Sequence, residues 1–228
     1  MSEAAQNLGP APQGEAEGRQ GILFVISSPS GGGKGTLIRR LLDTVPGVGY
    51  SVSWTTRAPR AGEADGVNYR FVSREEFERK TRSRGFLEWA VVHGNLYGTT
   101  RAAVRHELSR GRDIVLEIDV QGAHAVRAWR KLKKSVVSIF ILPPSFETLR
   151  ARLTARMTER PEELELRLRN ARAEVEQYTH FDYVVLNDEV ERAAEELSSI
   201  VRAERARRSR QEWVARRVLE SFAPTPAR

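Results

Sequence analysis

Ser28-Pro29-Ser30-Gly31-Gly32-Gly33-Lys34-Gly35-Thr36 is the glycine-rich segment from which the fold of this chain is predicted. It follows the apolar run 22–26, which is short and rich in branched residues and therefore predicts a buried parallel strand. It precedes the segment 37–42, whose apolar residues share one helical stripe. Strand, glycine-rich turn and helix in this order predict a phosphate-binding loop.

The residue types of the loop indicate how it would hold a polyphosphate. Glycines let successive N–H groups point at the ligand, the helix N-terminus adds partial positive charge, and Lys34 can reach the outer phosphates. The strict pattern has Gly where Ser28 stands, and Ser or Thr where Gly35 stands. The hydroxyl expected on magnesium is therefore missing from its usual place, and whether Thr36 replaces it stays open. A plain glycine-rich turn is the alternative, which the lysine and the flanking segments disfavour.

Length and composition limit the class of protein. The 228 residues, 40% of them hydrophobic, suit one domain, with or without small insertions. The sequence has no cysteine, which excludes disulfides and thiolate metal sites. It contains no apolar run of membrane-spanning length, and residues 2–20 are polar and lack a signal pattern. We therefore expect a cytoplasmic protein without a membrane partner.

The net charge of +7 is concentrated at one end of the chain. Eight arginines and three glutamates lie between Arg202 and Arg228, so this segment supplies +5 of that charge. The favoured interpretation is a solvated basic helix, and a role in nucleic-acid binding would rest on charge alone. Extension of the last helix and contact with a neighbouring subunit are further alternatives. The oligomeric state is not predicted.

The rest of the pattern predicts an α/β fold with a parallel sheet flanked by helices. Further strands are expected at 114–119, 136–142 and 183–187. Helical segments are expected at about 100–110, 145–156 and 161–178, and from 188 onward. In such a sheet, ligands bind at the carboxyl ends of the strands, where the loop and the residues Asp119 and Asn187 fall.

Residues 50–98 do not follow the alternation of strands and helices seen in the rest of the chain. Short alternating pieces separated by turn residues predict a small, largely antiparallel insertion rather than another strand-helix-strand repeat. One helix interrupts it, because Ser73 with Glu76 three residues later forms a capping box. Residues 1–20 carry glycines and prolines among small polar residues and are expected to be a disordered leader.

Several separate stretches, in the family's own order, resemble guanylate kinase, the enzyme that passes a phosphoryl group from ATP to GMP. The resemblance covers about 21–207 and rests on the segments 28–36, 51–63, 69, 86–89, 94–99, 117–122 and 185–188. It implies a P-loop core, a GMP-binding insertion and a helical lid. The corresponding residues are core 21–49, 99–143 and 170–207, insertion 50–98 and lid 144–169, between the leader 1–20 and a basic tail 208–228.

The chemistry of arginine also indicates which residues would bind the phosphate of the acceptor nucleotide. Arginine forks bind dianionic phosphates bidentately, and Arg57 and Arg60 lie three apart in a turn-like stretch. The resemblance implies that Arg57, Arg60, Tyr69 and Tyr97 hold the GMP phosphate and that Glu63 orients the arginines. An exposed basic turn is the alternative.

Guanine presents two hydrogen-bond donors on one edge, with a carbonyl beside them. A carboxylate can accept both donors while hydroxyl groups donate to the carbonyl. By resemblance Glu88 is that carboxylate, and Ser53 and Thr99 supply the hydroxyls. Adenine lacks this donor pair, so a buried Glu88 would reject AMP. Taken alone, Glu88 could also simply face solvent.

Carboxylates near a phosphate loop commonly hold magnesium or its waters. Glu117 and Asp119 alternate along one predicted strand and would face the same side. We expect Asp119 to bind Mg²⁺ directly or through water. The family often has aspartate at the first position, directed at the acceptor, so Glu117 is assigned to GMP binding. Asn187 and the loop residues 28–36 are assigned to ATP.

Phosphoryl transfer requires charge neutralisation and alignment. Arg152 and Arg156 are four apart and share one helix face. The resemblance marks them as lid arginines that close over ATP and marks Arg167 as a further cation at the transferring group. Lys34, which the loop places at the outer phosphates, is the fourth residue assigned to catalysis. Arginines on helices otherwise form solvated faces.

Together these features predict an Mg²⁺-dependent ATP:GMP phosphotransferase whose ligands are ATP and GMP. A guanylate-kinase-like module that binds protein segments without catalysis is the first alternative. Such modules typically lack a working phosphate loop, whereas Lys34 is present here. The second alternative changes the acceptor to another phosphorylated small molecule, which Glu88, Ser53 and Thr99 argue against.

Overall fold

The structure, a computed structural model, describes residues 19–92, 94–129, 132, 134–155 and 161–222. Its strands are β1 (Leu23–Ser27), β2 (Val48–Tyr50), β3 (Trp54–Thr55), β4 (Arg70–Phe71), β5 (Phe86–Val92), β6 (Asn95–Thr100), β7 (Asp113–Glu117), β8 (Val136–Leu142) and β9 (Tyr183–Leu186). Its α-helices are α1 (Lys34–Thr44), α2 (Arg74–Arg82), α3 (Arg101–Ser109), α4 (Val120–Arg127), α5 (Phe146–Thr154), α6 (Pro161–Val175), α7 (Val190–Ala206) and α8 (Glu212–Ser221). Of the expected leader 1–20, only residues 19 and 20 lie within the described part of the chain.

The main sheet has five parallel strands in the order β2-β7-β1-β8-β9. Every residue of the central strand β1 is buried, as expected for a strand covered on both faces. Helices α1 and α7 cover one face of the sheet, and α3 and α4 pack on the other. The predicted α/β fold with a helix-flanked parallel sheet is confirmed.

A second sheet of four strands has the order β4-β3-β6-β5. Strand β6 pairs antiparallel with β3 and with β5, whereas β3 and β4 are parallel, so the sheet is mixed. Its small core contains Phe77 from α2, stacked on Phe86 with ring centroids 4.3 Å apart. The predicted cap of α2 is confirmed, because the Ser73 hydroxyl accepts the Glu76 N–H at 3.1 Å.

Two elements of the core were not predicted from the sequence. Strand β2 has only three residues and is held by pairing with β7. Helix α4 begins directly after the strand segment, with Asp119 as its N-cap. Because β7 ends at Glu117, Asp119 lies outside the strand to which the sequence analysis assigned it.

Two buried carboxylates form ion pairs with arginines near the ends of the described chain. Asp113, fully buried, accepts hydrogen bonds from Arg19 at 2.8 Å and from Arg205 at 2.7 Å. Glu204, also buried, accepts the Tyr183 hydroxyl at 2.6 Å and Arg210 at 3.2 Å. The tail therefore forms ion pairs with the core before it continues as a separate helix, α8, after α7 has ended.

None of the helices in the described ranges is long and apolar enough to cross a membrane.

Candidate active site

The phosphate loop connects β1 to α1 and has a left-handed backbone at two glycines. Gly31 has φ 84° and Gly33 has φ 87°, a region that side-chain-bearing residues rarely adopt. The Gly32 N–H donates to the Pro29 carbonyl at 2.9 Å, which closes a turn over Pro29–Gly32. Gly33 then caps α1, so Lys34 is the first residue of the helix.

Asn187 and Arg152 support the loop from the neighbouring strand end. The buried Asn187 donates its Nδ2 to the Gly32 carbonyl at 2.8 Å. Arg152 donates Nη2 to the Asn187 carbonyl at 2.9 Å, while its Nη1 is buried without a hydrogen-bond partner among the described residues. That Nη1 lies 3.7 Å from where a Cβ on Gly33 would stand. A guanidinium donor is thus held beside the loop and available for an anion.

A cavity of about 280 Å³ lies where the loop, the end of β7 and the second sheet meet. Residues from all three regions line it: Lys34, Tyr50, Ser53, Asn68, Tyr69, Glu88, Ala90, Val92, Tyr97, Gly98, Glu117, Ile118 and Asp119. Seven of the predicted site residues are therefore brought together around one space. Arg57, Arg60, Glu63 and Thr99 do not line this cavity.

Arg57 and Glu63, which the resemblance assigns to one phosphate-binding group, form an ion pair. Arg57 Nη2 contacts the two Glu63 carboxylate oxygens at 2.8 and 2.9 Å, and its Nε donates to the Tyr97 hydroxyl at 3.2 Å. Glu63 also accepts the Arg60 N–H at 2.7 Å. The Arg57 hydrogen bonds, together with the Arg60 N–H, lower the pKa of Glu63. Arg57 also lies over the Tyr69 ring, 5.5 Å from its centroid.

Glu88 projects from β5 and is only 6% exposed. Burial raises the pKa of its carboxyl to about 7, against the opposing effect of hydrogen bonds with Thr99, and the nearby Asp119 raises it further. The Thr99 hydroxyl lies 3.2 Å from the Ser53 hydroxyl. A carboxylate and two hydroxyls are thus adjacent, which is the donor and acceptor set predicted for guanine.

Glu117, at the end of β7, contacts both the first residue of α1 and Tyr50 of β2. Its Oε2 accepts the Tyr50 hydroxyl at 3.1 Å, and its Oε1 lies 3.9 Å from Lys34 Nζ. Burial, followed by the charge of Glu117, raises the pKa of Tyr50, so its hydroxyl stays protonated as the donor. Tyr50 was not predicted from the sequence, where its one local signal is its position directly before the motif at 51–63.

The predicted magnesium residue has a structural contact of its own. Asp119 Oδ1 accepts the Gly122 N–H at 2.8 Å and so caps α4. Within the described residues, no three His, Cys, Asp or Glu side chains form a group that could hold a metal ion.

The remaining predicted residues have varied positions. The Ser28 hydroxyl donates to the Pro29 carbonyl at 2.9 Å, and Thr36 is exposed on α1. Arg167 lies half-buried on α6. Arg156 lies outside the described residues.

Comparisons with known proteins agree on one family. The family model described as guanylate kinase matches residues 20–204. The guanylate kinase of Rhizobium etli is 46% identical over 209 residues, covering 92% of this chain and 94% of the relative. That of Neisseria meningitidis serogroup A is 52% identical over 193 residues, covering 85% and 93%. A crystal structure of guanylate kinase from Anaplasma phagocytophilum matches with TM-score 0.70 and 36% identity, over 88% of this chain and 96% of that one. The chain belongs to the guanylate kinase family.

Proposed function

We propose that this protein transfers the γ-phosphoryl group of ATP to GMP, giving ADP and GDP. An oxygen of the GMP phosphate attacks the γ-phosphorus, and the bond from that phosphorus to the β,γ-bridging oxygen breaks. The observation that carries the proposal is the shared cavity: Lys34 of the phosphate loop and the buried Glu88 of the second sheet line the same space. Family membership supports the same reaction.

The donor phosphates are assigned to the loop, residues 28–36, and the first turn of α1. Lys34 supplies a positive charge, and the free donor of Arg152 lies beside Gly33. Asn187, which the sequence assigned to ATP binding, donates a hydrogen bond to the Gly32 carbonyl of the loop. This contact supports a role for Asn187 in positioning the loop. Arg167, and Arg156 outside the described residues, are proposed as the further cations of the lid.

The acceptor is assigned to the second sheet. Glu88 would accept the two guanine donors, with hydroxyl groups of Ser53 and Thr99 beside it. The GMP phosphate is assigned to a second set of residues: Arg57, Arg60, Tyr69 and Tyr97, with Glu63 holding Arg57. Glu117 then lies between Lys34 and the acceptor side, where it can orient the lysine.

Magnesium is the proposed cofactor, and the donor set fits it in part. Asp119 lines the cavity, but its Oδ1 already caps α4, which argues for a contact through water rather than bidentate ligation. Glu117 is a second carboxylate lining the same space. When bound, Mg²⁺ neutralises charge on the donor phosphates. Thr36 is exposed and remains a candidate for the hydroxyl that Gly35 lacks.

The chain's own residues account for the remaining requirements. Lys34 and Arg152 would stabilise the charge that spreads over the transferring group, and the loop fixes its direction. We propose that residues 144–169 act as the lid that excludes water, with 50–98 as the acceptor unit and 21–49, 99–143 and 170–207 as the core. No side chain needs to act as a strong base. ATP and GMP are the proposed partners, and the cytoplasm the proposed location.

The test is ADP formation from ATP and Mg²⁺ with GMP, AMP, UMP or no acceptor. We expect turnover that depends on GMP and is at least about 100-fold lower with AMP, because Glu88 would be left unpaired against adenine. Equal rates with GMP and AMP would contradict the guanine assignment. Folded protein without turnover on any acceptor would favour the non-catalytic interaction module.

A further inference from the structure

A carboxylate from a distant part of the chain binds the phosphate loop. The backbone N–H of Ser30 donates to Glu174 Oε2 at 3.1 Å, across 144 residues of sequence. Glu174 is half-buried on α6 and has no role in the site described above. A negatively charged group on a loop that is proposed to bind polyphosphate requires a physical explanation.

The two helices next to the loop hold Glu174 in place. Leu149 and Leu153 of α5 are buried together with Ala171 of α6, one turn before Glu174. The loop packs on the same cluster: a Cβ added to Gly31 would lie 2.9 Å from Leu153 and 3.2 Å from Leu149. The position of Glu174 relative to the loop is therefore fixed by packing and not by its own hydrogen bond alone.

The Ser30 N–H that Glu174 accepts lies within the turn of the loop. Ser30 is the second residue of the turn closed by the Gly32 N–H and the Pro29 carbonyl, and Gly31, with φ 84°, is the third. This arrangement is typical of a type II turn, whose second N–H has no partner within the turn. By accepting that N–H, Glu174 holds the turn from outside, which sets the direction of the N–H groups that follow.

We propose that Glu174 is a positioning residue for the donor phosphates, which couples helix α6 to the phosphate loop. The inference rests on the proposed ATP site. The opposite role is that Glu174 occupies an anion position and is displaced by ATP. The two roles predict opposite signs, because loss of a positioning contact weakens ATP binding whereas loss of a competing carboxylate tightens it.

The decisive variants separate the hydrogen bond from the charge. Glu174→Gln keeps an acceptor oxygen, whereas Glu174→Leu keeps a similar size and removes the acceptor. We expect Glu174→Leu to raise the Kd and KM for ATP about tenfold, with KM for GMP within about twofold of wild type. Glu174→Gln should restore the ATP affinity to within about threefold. The matched control Glu176→Leu, at an exposed position just beyond α6, should leave both unchanged.

ATP binding is measured by titration calorimetry without GMP, and KM values by coupled ADP release. An unchanged or tighter Kd in Glu174→Leu would overturn the inference, as would equal losses in the Leu and Gln variants. A rise in both KM values together would indicate a general structural role and would overturn it as well. Wild-type protein that binds ATP but does not phosphorylate GMP would contradict the proposed function alone, because the ATP titrations would still compare the variants.

Discussion

Replacing Glu88 by Gln is expected to stabilise the folded protein and at the same time to remove most of its activity on GMP. Glu88 is 6% exposed, and burial raises its pKa from an ordinary 4.5 to about 7. The folded state therefore binds more protons than the unfolded state between these values, and stability falls as the pH rises through that window. A difference of 2.5 in pKa corresponds to a cost of up to about 3 kcal/mol above pH 7.

Gln removes the charge and keeps a carbonyl oxygen that Thr99 can contact. At pH 8 the free energy of unfolding of Glu88→Gln should exceed that of wild type by as much as about 3 kcal/mol, and the difference should vanish near pH 4.5. The same substitution places an amide donor against the two guanine donors, so most GMP turnover should be lost while ATP binding persists.

Urea unfolding of both proteins at pH 5 and pH 8 measures the stability difference. Guanosine, which lacks a titrating phosphate, reports the Glu88 charge by itself: its affinity for wild type should fall about tenfold between pH 8 and pH 6, as Glu88 takes up a proton. A Glu88→Gln protein that is less stable than wild type at pH 8 would contradict the cost assigned to the buried Glu88 charge. Unchanged GMP kinetics would contradict its contact with guanine.

Three further predictions concern the loop and its neighbours. Gly33→Ala should abolish ATP binding, since φ at Gly33 is 87° and the new Cβ would lie 2.3 Å from Asn187 Nδ2. The control Gly35→Ala, whose Cβ would have its nearest neighbour at 4.0 Å, should bind ATP normally. The same ATP affinity for both variants in titration calorimetry would contradict this prediction. Tyr50→Phe should lower kcat about fivefold by releasing Glu117; unchanged steady-state kinetics would remove Tyr50 from the site. Arg152→Ala should slow turnover about a thousandfold, whereas the control Arg150→Ala, on the exposed side of α5, should not. Similar rates for the two variants would contradict a role of Arg152 in phosphoryl transfer.

The parts of the fold that were predicted correctly have local signals. Strand β8 has the predicted limits, because an apolar run ends there at two prolines. Strand β1, the loop and α1 follow from an apolar run, glycines and a helical stripe that are contiguous in sequence. The cap of α2 depends on a spacing of three residues.

The missed elements depend on contacts that are distant in sequence. Three residues are too few to show a strand period, so β2 is recognisable only through its pairing with β7. The apolar segment before Asp119 predicts a longer strand, and the hydrogen bond from Gly122 that turns Asp119 into a helix cap is not visible in residue types alone.

The candidate site likewise contains residues that were predicted from the sequence and residues that were not. The family resemblance implies that Glu63 orients Arg57, and in the structure the two side chains form an ion pair. Tyr50 and Glu174 were missed because their partners, Glu117 and Ser30, lie 67 and 144 residues away. Their roles follow from tertiary packing, which brings a strand end and a helix to the loop.

We propose that one cavity brings a phosphate loop and a guanine-binding carboxylate together for direct transfer. Chromatographic analysis of the products from ATP, Mg²⁺ and GMP tests it most directly, because hydrolysis and transfer give different products. Direct transfer should give ADP and GDP in equal amounts, with little free phosphate and little ADP when GMP is omitted. ADP and phosphate formed without GDP would contradict it.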